Sequence, residues 1–257
     1  MGLFTFTSAA GSRGVTTTVV GLMLTWPRPV VAIEADPSGG SQILAGFFRG
    51  LGRPGLSELA LAHRQGQLAE ELESRLFPVA DSNASVLPGI RTPLQAGSLA
   101  GLWDALLGAL RDIEAVRGVD VLVDAGRLGL LGSPDALVAG ADVTVLVTGS
   151  GLPEFAAVRS WLPTLWRGAA PLRLALVDPN RPYTAGEVEQ DMDVPVIASL
   201  PWVPGTARWW SHGEPEPQRR WRRSPLVKAV EALGVAMRAE QGEVRVVADS
   251  SPEEVAR

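Results

Sequence analysis

Near its start, the chain carries a run of small residues with the types and spacing of a phosphate-binding loop. A short β-type run, Leu3 to Thr7, enters the segment Gly11-Ser12-Arg13-Gly14-Val15-Thr16-Thr17, and a helical pattern follows it. In such a strand–loop–helix unit the loop N–H groups point inward and the helix dipole adds partial positive charge, so the unit can bind phosphate. The common form of the loop is G-x-x-x-x-G-K-[ST]. Here two glycines, Gly11 and Gly14, and the threonines are present, but Val15 occupies the lysine position.

Three acidic residues lie at or just after the ends of apolar strand patterns. Val30 to Glu34 is a continuous apolar run ending in acid, which is typical of a buried parallel strand, and Asp36 follows it. A second run of this kind, from Val119, ends in Asp124. Ligands of parallel sheets bind at the carboxyl ends of the strands. We therefore expect the loop, Asp36 and Asp124 to cluster at one edge of a sheet.

Strand and helix patterns alternate along the rest of the chain. This alternation predicts an α/β fold, a doubly wound, mainly parallel sheet of about seven strands with helices on both faces. Helical patterns are expected at 42–48, 56–76 with an interruption near Gly66, 94–116, 153–166, 185–192 and 225–239, and Ser133-Pro134-Asp135 is expected to cap a further short helix. The remaining strands are expected at 85–87, 143–147, 172–177 and 194–199.

Composition narrows the class of protein. The chain has 257 residues, 46% of them hydrophobic, with a net charge of −5. We expect one domain over residues 1–240 and an acidic, flexible tail over 241–257. The chain has no cysteine, which excludes disulfides and thiolate metal sites. No basic region precedes the first apolar residues and no apolar run reaches the length of a membrane span, so we expect a cytoplasmic protein.

A segment rich in arginine and tryptophan follows the last predicted strand. Residues 208–223 hold five Arg and three Trp. Such a segment can contact a protein partner, non-specific DNA or an anionic membrane surface, or it can be a connecting loop whose tryptophans pack on the core. The candidate partner contacts are Arg208, Trp209, Trp210, Arg219, Arg220, Trp221, Arg222 and Arg223.

These motifs together resemble the ParA/MinD group of deviant P-loop ATPases. The family loop K-G-G-x-G-K-[ST]-T lies over residues 10–17, and its second motif, D-x-D-P-x-G, is similar to Glu34-Ala35-Asp36-Pro37-Ser38-Gly39. Its third motif, an apolar strand ending in Asp, resembles residues 119–124. Asp178 and Pro201 stand where adenine-side loops of the family follow the last strands. The resemblance covers roughly residues 1–240.

The resemblance implies a set of roles. The backbone N–H groups of residues 11–16 would hold the phosphates of ATP or ADP. Thr16 would bind Mg²⁺, and Asp124 would hold the metal through water. Asp36 would position the attacking water. Asp178 and Pro201 would lie on the adenine side.

The chain departs from the family at both lysines of the loop. Ala10 and Val15 stand in their places, and Lys228, the one lysine of the chain, lies in the predicted last helix. Since phosphoryl transfer depends on electrostatic stabilisation, these changes predict a pseudo-ATPase with slow turnover at most, which binds nucleotide weakly or not at all. The third motif also continues differently, placing Arg127 after Asp124; Arg127 or Arg13 could approach a phosphate.

Three functions remain open from the sequence. The first, which we favour, is a degenerate positioning or scaffold factor for a cell-pole, septum, pilus/secretion or chromosome-partition assembly. The second is an active ATPase with an arginine-rebuilt phosphate site that drives cargo or DNA segregation. The third is a nucleic-acid-binding regulator that uses residues 208–223. We expect a protein partner, and a homodimer that does not depend on ATP, in a cytoplasmic protein recruited to a pole, septum or membrane-associated assembly.

Overall fold

One sheet of eight strands forms the centre of the molecule. The structure is a computed structural model that describes residues 1–11, 14–178, 182–213 and 218–249, without the side chains of 218–219 and 243–249. The strands are β1 (Leu3–Ser8), β2 (Val30–Glu34), β3 (Phe77–Pro78), β4 (Ala84–Leu87), β5 (Asp120–Arg127), β6 (Val143–Thr148), β7 (Leu172–Val177) and β8 (Val196–Leu200). Their order is β3-β4-β2-β5-β1-β6-β7-β8, and all neighbours are parallel except the two-residue edge strand β3.

Helices connect the strands. They are α1 (Val15–Thr25), α2 (Gln42–Gly46), α3 (Leu56–Arg64), α4 (Leu68–Ser74), a 3-10 helix (Pro93–Leu99), α5 (Trp103–Arg117), α6 (Asp135–Ala139), α7 (Leu152–Leu165), α8 (Ala185–Met192), α9 (Pro204–His212), α10 (Gln218–Trp221) and α11 (Pro225–Asp249). None of these described helices is both long and apolar enough to cross a membrane.

The helices cover both faces of the sheet, as the alternation predicts. All six residues of β1 are buried, since it is a central strand. Phe4 and Phe6 pack on one face with residues of α1 and α11, whereas Leu3 packs on the other face with residues of α5. Side chains of a strand alternate between faces, so this one strand contributes to both cores.

Several elements differ from the sequence-based expectation. The single helix expected at 94–116 is a 3-10 helix followed by α5, and the break between them includes Gly101, since glycine weakens a helix interior. Strand β3 and helices α9 and α10 were not expected. Strand β5 continues three residues beyond Asp124 to Arg127.

The last helix is longer than expected. It continues from residue 239 to Asp249 and so crosses the boundary placed at 240. Two contacts hold this part of α11 to the sheet: Arg173 of β7 donates a hydrogen bond to Glu240 at 3.0 Å, and the Gln241 amide donates to the Met1 carbonyl. Residues 250–257 lie outside the described part of the chain, and a flexible tail stays a prediction.

Candidate phosphate-binding site

A cleft opens where the loop after β1 meets the carboxyl ends of β5, β7 and β8. Its volume is about 520 Å³. The residues that line it come from six places in the sequence: the end of β1 with the loop and first turn of α1, the segment after β2, the end of β5, the end of β7, the segment from β8 into α9, and the start of α11. The sequence-predicted residues Gly11, Gly14, Val15, Thr16, Thr17, Asp36 and Pro201 all line this cleft. Ser12 and Arg13 lie outside the described residues.

The loop presents an uncapped helix end to the cleft. Gly14 is the N-cap of α1 and has φ 83°, a left-handed conformation that glycine adopts readily. Its carbonyl accepts hydrogen bonds from both the N–H and the hydroxyl of Thr18, at 2.9 and 2.8 Å. No side chain of the described residues caps the helix, and no acid stands in its first turn. The first N–H groups of α1 are therefore available to an anion.

Val15 is part of the core rather than a polar group of the cleft. It is 6% exposed and belongs to the same apolar cluster as Val19 and Leu226. The outer edge of its side chain forms part of the cleft wall. At the position where a phosphate-binding loop commonly carries an ammonium group, the cleft therefore meets an apolar surface.

Asp124 lies at the base of the site and is fully buried. The Gly126 N–H donates to Oδ1 at 3.0 Å, while Oδ2, among the described residues, has no hydrogen-bond partner. Burial, with smaller contributions from the nearby Asp36 and Glu34 carboxylates, raises the pKa of Asp124 to about 7 against the opposing effects of the Thr16 hydroxyl and the Gly126 N–H. A buried acceptor without a partner is unfavourable by itself and marks a place where a cation would be stabilised.

Asp36 faces the same space from the segment after β2. The Ser38 N–H donates to its Oδ1 at 2.8 Å. The carboxylate lies against Gly126, which has φ 60°. A small adjoining cavity of about 70 Å³ brings Asp36 together with Thr16 and Asp124. Two carboxylates and a hydroxyl are oxygen ligands of the kind that Mg²⁺ prefers, so these residues fit that ion.

Glu34 is a member of the site to which the sequence analysis assigned no role. It is 5% exposed, lines the small cavity and accepts a hydrogen bond from the Gly89 N–H at 3.1 Å. Burial raises its pKa. The signal was present in the sequence, because Glu34 stands at the first acidic position of the D-x-D-P-x-G motif, two residues before Asp36.

Of the two residues expected on the adenine side, Pro201 lines the cleft and Asp178 does not. Pro201 lines the cleft, and the neighbouring Trp202 also lines it with 68% of its surface exposed. Asp178 has φ 54° and donates its N–H to the Leu200 carbonyl at 2.9 Å, but it is exposed and does not line the cleft. A direct adenine contact from Asp178 is therefore not evident in this geometry.

The segment rich in arginine and tryptophan divides into a buried and an exposed part. Trp210 is 1% exposed, packs closely on Gly21 of α1 and has its ring 5.8 Å from that of Trp221. Trp210 is therefore a core residue. The expectation that it contacts a partner is wrong, because its side chain is buried. Trp209 is half-buried, and Arg208, Arg220, Arg222 and Arg223 are exposed. The side chain of Arg219 lies outside the described residues.

Comparison with known proteins bears on the fold. No protein-family model matches the chain, and no curated protein matches it in sequence. Solved structures do match. The cell division ATPase MinD of Pyrococcus furiosus has a TM-score of 0.72 and 19% identity over 93% of this chain and 99% of that one. The septum site-determining protein MinD of Pyrococcus horikoshii, complexed with Mg-ADP, has a TM-score of 0.71 and 18% identity over 97% and 98%.

A third match is a ParA family ATPase from Chlorobium tepidum, with a TM-score of 0.72 and 14% identity over 90% of this chain and 98% of that one. This chain has the fold of the MinD and ParA ATPases. The predicted α/β class and mainly parallel sheet are thereby confirmed, with eight strands instead of about seven. The loop, Asp36 and Asp124 lie at one edge of the sheet, as expected.

Proposed function

We propose that the chain is a catalytically degenerate relative of MinD and ParA. It acts as a positioning or scaffold factor for a cell-pole, septum, pilus/secretion or chromosome-partition assembly. The observation that supports the proposal is the contrast between the polar groups around the cleft and Val15. The start of α1 and Asp36 line the cleft and Asp124 lines the adjoining small cavity, while the side chain at the lysine position is 6% exposed and packed in the core.

The cradle accounts for weak nucleotide binding. The first N–H groups of α1 would hold a phosphate, and Thr16 with Asp124 would hold Mg²⁺, whose charge would offset that of the buried carboxylate. The Mg-ADP bound to the MinD of Pyrococcus horikoshii supports this class of ligand. Pro201 and Trp202 offer an apolar surface on the opposite wall, suited to a base.

The apolar Val15 accounts for slow or absent turnover. Phosphoryl transfer is accelerated mainly by positioning and by cations that offset charge on the transferring group. An interaction of that kind is worth about 3–4 kcal/mol of transition-state stabilisation, or a factor of about a hundred to a thousand in rate. With two lysine positions occupied by Ala10 and Val15, bound ATP would persist rather than turn over.

A scaffold needs a surface for its partner, and the exposed arginines after β8 suit that role. Arg208, Arg220, Arg222 and Arg223 are exposed, and each is close in sequence to Trp210 or Trp221, whose rings pack together. Exposed arginines next to anchored aromatic residues favour a protein partner. DNA or an anionic membrane surface remains the alternative contact for the same arginines.

A second candidate function is an active ATPase whose phosphate site is rebuilt around arginine. The observation that favours it is the place of Arg127, whose Nη1 would lie 3.9 Å from a Cβ built on Gly11 of the loop. A guanidinium at this place would return one positive charge to the site.

The test is a nucleotide titration combined with a turnover assay on the same preparation. Calorimetric titration with Mg-ADP measures binding, and release of phosphate from Mg-ATP measures turnover. The proposal predicts weak binding and turnover far below ordinary enzyme rates, which are about 1–1000 per second. Turnover within that range, abolished by Asp36→Ala, would favour the active ATPase.

A further inference from the structure

Arg127 is the last residue of strand β5, so the pairing of β5 with β1 fixes the position of its backbone. Pairing between β1 and β5 shifts between Phe6 and Ser8, so that Ser8 stands opposite Arg127. The Leu128 N–H donates to the Ser8 carbonyl at 2.9 Å, and the Thr7 hydroxyl donates to the Gly126 carbonyl at 3.1 Å. The backbone on both sides of Arg127 is thus fixed to β1, immediately before the phosphate-binding loop.

The surroundings of Arg127 leave its charge available. Among the described residues that line the cleft, the charged ones are Asp36 and Arg127. Arg127 is exposed and forms no ion pair with another described residue. Its guanidinium lies beside Gly11, at the end of the loop away from the first turn of α1. An anion seated in the loop would therefore meet helix N–H groups on one side and a guanidinium on the other.

We infer that Arg127 is a phosphate-binding residue of this cleft and supplies a cation to a site in which Val15 stands at the lysine position. The planar guanidinium can donate two parallel hydrogen bonds to phosphate oxygens, which an exposed ammonium cannot reproduce. Its role is to bind the anion, and no catalytic step is assigned to it. The inference rests on the proposed assignment of the cleft to a nucleotide.

The inference has independent support from the buried carboxylate. The unpartnered Oδ2 of Asp124 is nine-tenths or more buried and adjoins the same loop through Thr16, which lines both cavities. In a site that holds both a phosphate and its metal, the N–H groups of α1 and Arg127 would donate to the phosphate at one end. The Asp124 carboxylate would face the metal at the other end. The two ends can be separated experimentally, because inorganic pyrophosphate without metal requires only the donors.

The experiment measures binding of Mg-ADP and of metal-free pyrophosphate to four full-length proteins by calorimetry. They are the wild type, Arg127→Ala, Arg127→Lys and Arg117→Ala. Arg117 is an exposed arginine at the end of α5, before β5 begins, and so lies at the opposite edge of the sheet. The Arg117→Ala variant has the same net charge as Arg127→Ala without altering the cleft.

Loss of Arg127 is expected to weaken both ligands by about tenfold or more, since a charge-assisted hydrogen bond is removed. Arg127→Lys should recover part of the loss, and Arg117→Ala should bind as the wild type does. Equal binding by Arg127→Ala and Arg117→Ala would overturn the inference and leave the proposed function intact. A wild type that binds neither ligand would also overturn the inference. The proposed function is tested separately by phosphate release from Mg-ATP: turnover at ordinary enzyme rates would overturn the proposed function and leave the inference about Arg127 intact.

Discussion

The carboxylate of Asp36 lies directly against the backbone of Gly126: a Cβ built on Gly126 would stand 2.2 Å from the Asp36 Cγ. Gly126 also donates its N–H to Asp124 Oδ1 and has a positive φ of 60°. One glycine therefore contacts both aspartates of the site, although 90 residues of sequence separate it from Asp36.

Gly126→Ala should displace Asp36 and destabilise the fold. The added methyl group would clash with the carboxylate, and alanine is strained at this φ, which together predict a loss of about 1–3 kcal/mol in the free energy of unfolding. Urea denaturation measures the loss, and titration with Mg-ADP measures the weaker binding. Gly97→Ala is the matched control, because no atom lies within 4 Å of its Cβ position. Similar effects in both variants would contradict the contact with Asp36.

The raised pKa of Asp124 predicts that stability decreases with rising pH. Its pKa of about 7 exceeds the ordinary value of 3.8, so the folded protein holds a proton that the unfolded chain has already released between these values. The stabilisation is present below about pH 4 and is lost as the pH rises towards 7. Asp124→Asn removes this dependence, and at about pH 8 it should be more stable than the wild type by on the order of a few kcal/mol.

The comparison requires unfolding curves at about pH 5 and about pH 8 without Mg²⁺. Asp120→Asn is the contrasting variant. Asp120 is also buried, but it accepts hydrogen bonds from Gly2 and Trp26 at 2.8 and 2.7 Å and pairs with Arg28. Its substitution should destabilise the protein at both pH values. Suppose instead that the wild type is more stable at the higher pH and that Asp124→Asn abolishes this difference. That result would contradict a buried, unpartnered carboxylate at Asp124.

Val15→Lys should strengthen binding of Mg-ADP. The lysine stem can replace the valine in the wall, and its ammonium can extend into the cleft of about 520 Å³ towards a phosphate. We expect about tenfold tighter binding, with some loss of stability because the position is in the core. Val15→Met is the control of similar reach without charge. If methionine tightens binding as much as lysine, charge at this position is not what the site lacks.

Self-association should not respond to ATP. Ala10 stands at one of the two lysine positions of the family loop, so the chain has no ammonium group there that could reach a nucleotide held by a second copy. Any homodimer would then depend on buried apolar surface, which is present with or without nucleotide. Light scattering with and without Mg-ATP measures the mass. A monomer that becomes a dimer only with Mg-ATP would show that another residue has taken over the contact.

Much of the site could be predicted from sequence because its signals are local. Glycines in a loop between strand and helix, and acids at the ends of apolar strands, are fixed by the geometry of parallel sheets. The contact of Asp36 with Gly126 could not be predicted, because it depends on how the segment after β2 meets the end of β5. The sequence indicated that Arg127 could approach a phosphate, but its place beside Gly11 depends on the bulged pairing of β1 with β5. The burial of Trp210 depends likewise on α9 packing over Gly21.

The central claim is that an apolar Val15 leaves the cleft able to hold nucleotide but unable to turn it over. The most direct measurement is release of phosphate from Mg-ATP by the wild type and Asp36→Ala. The account predicts that both proteins turn over at the same rate, far below about one per second. Turnover by the wild type above that rate, lost in Asp36→Ala, would contradict it.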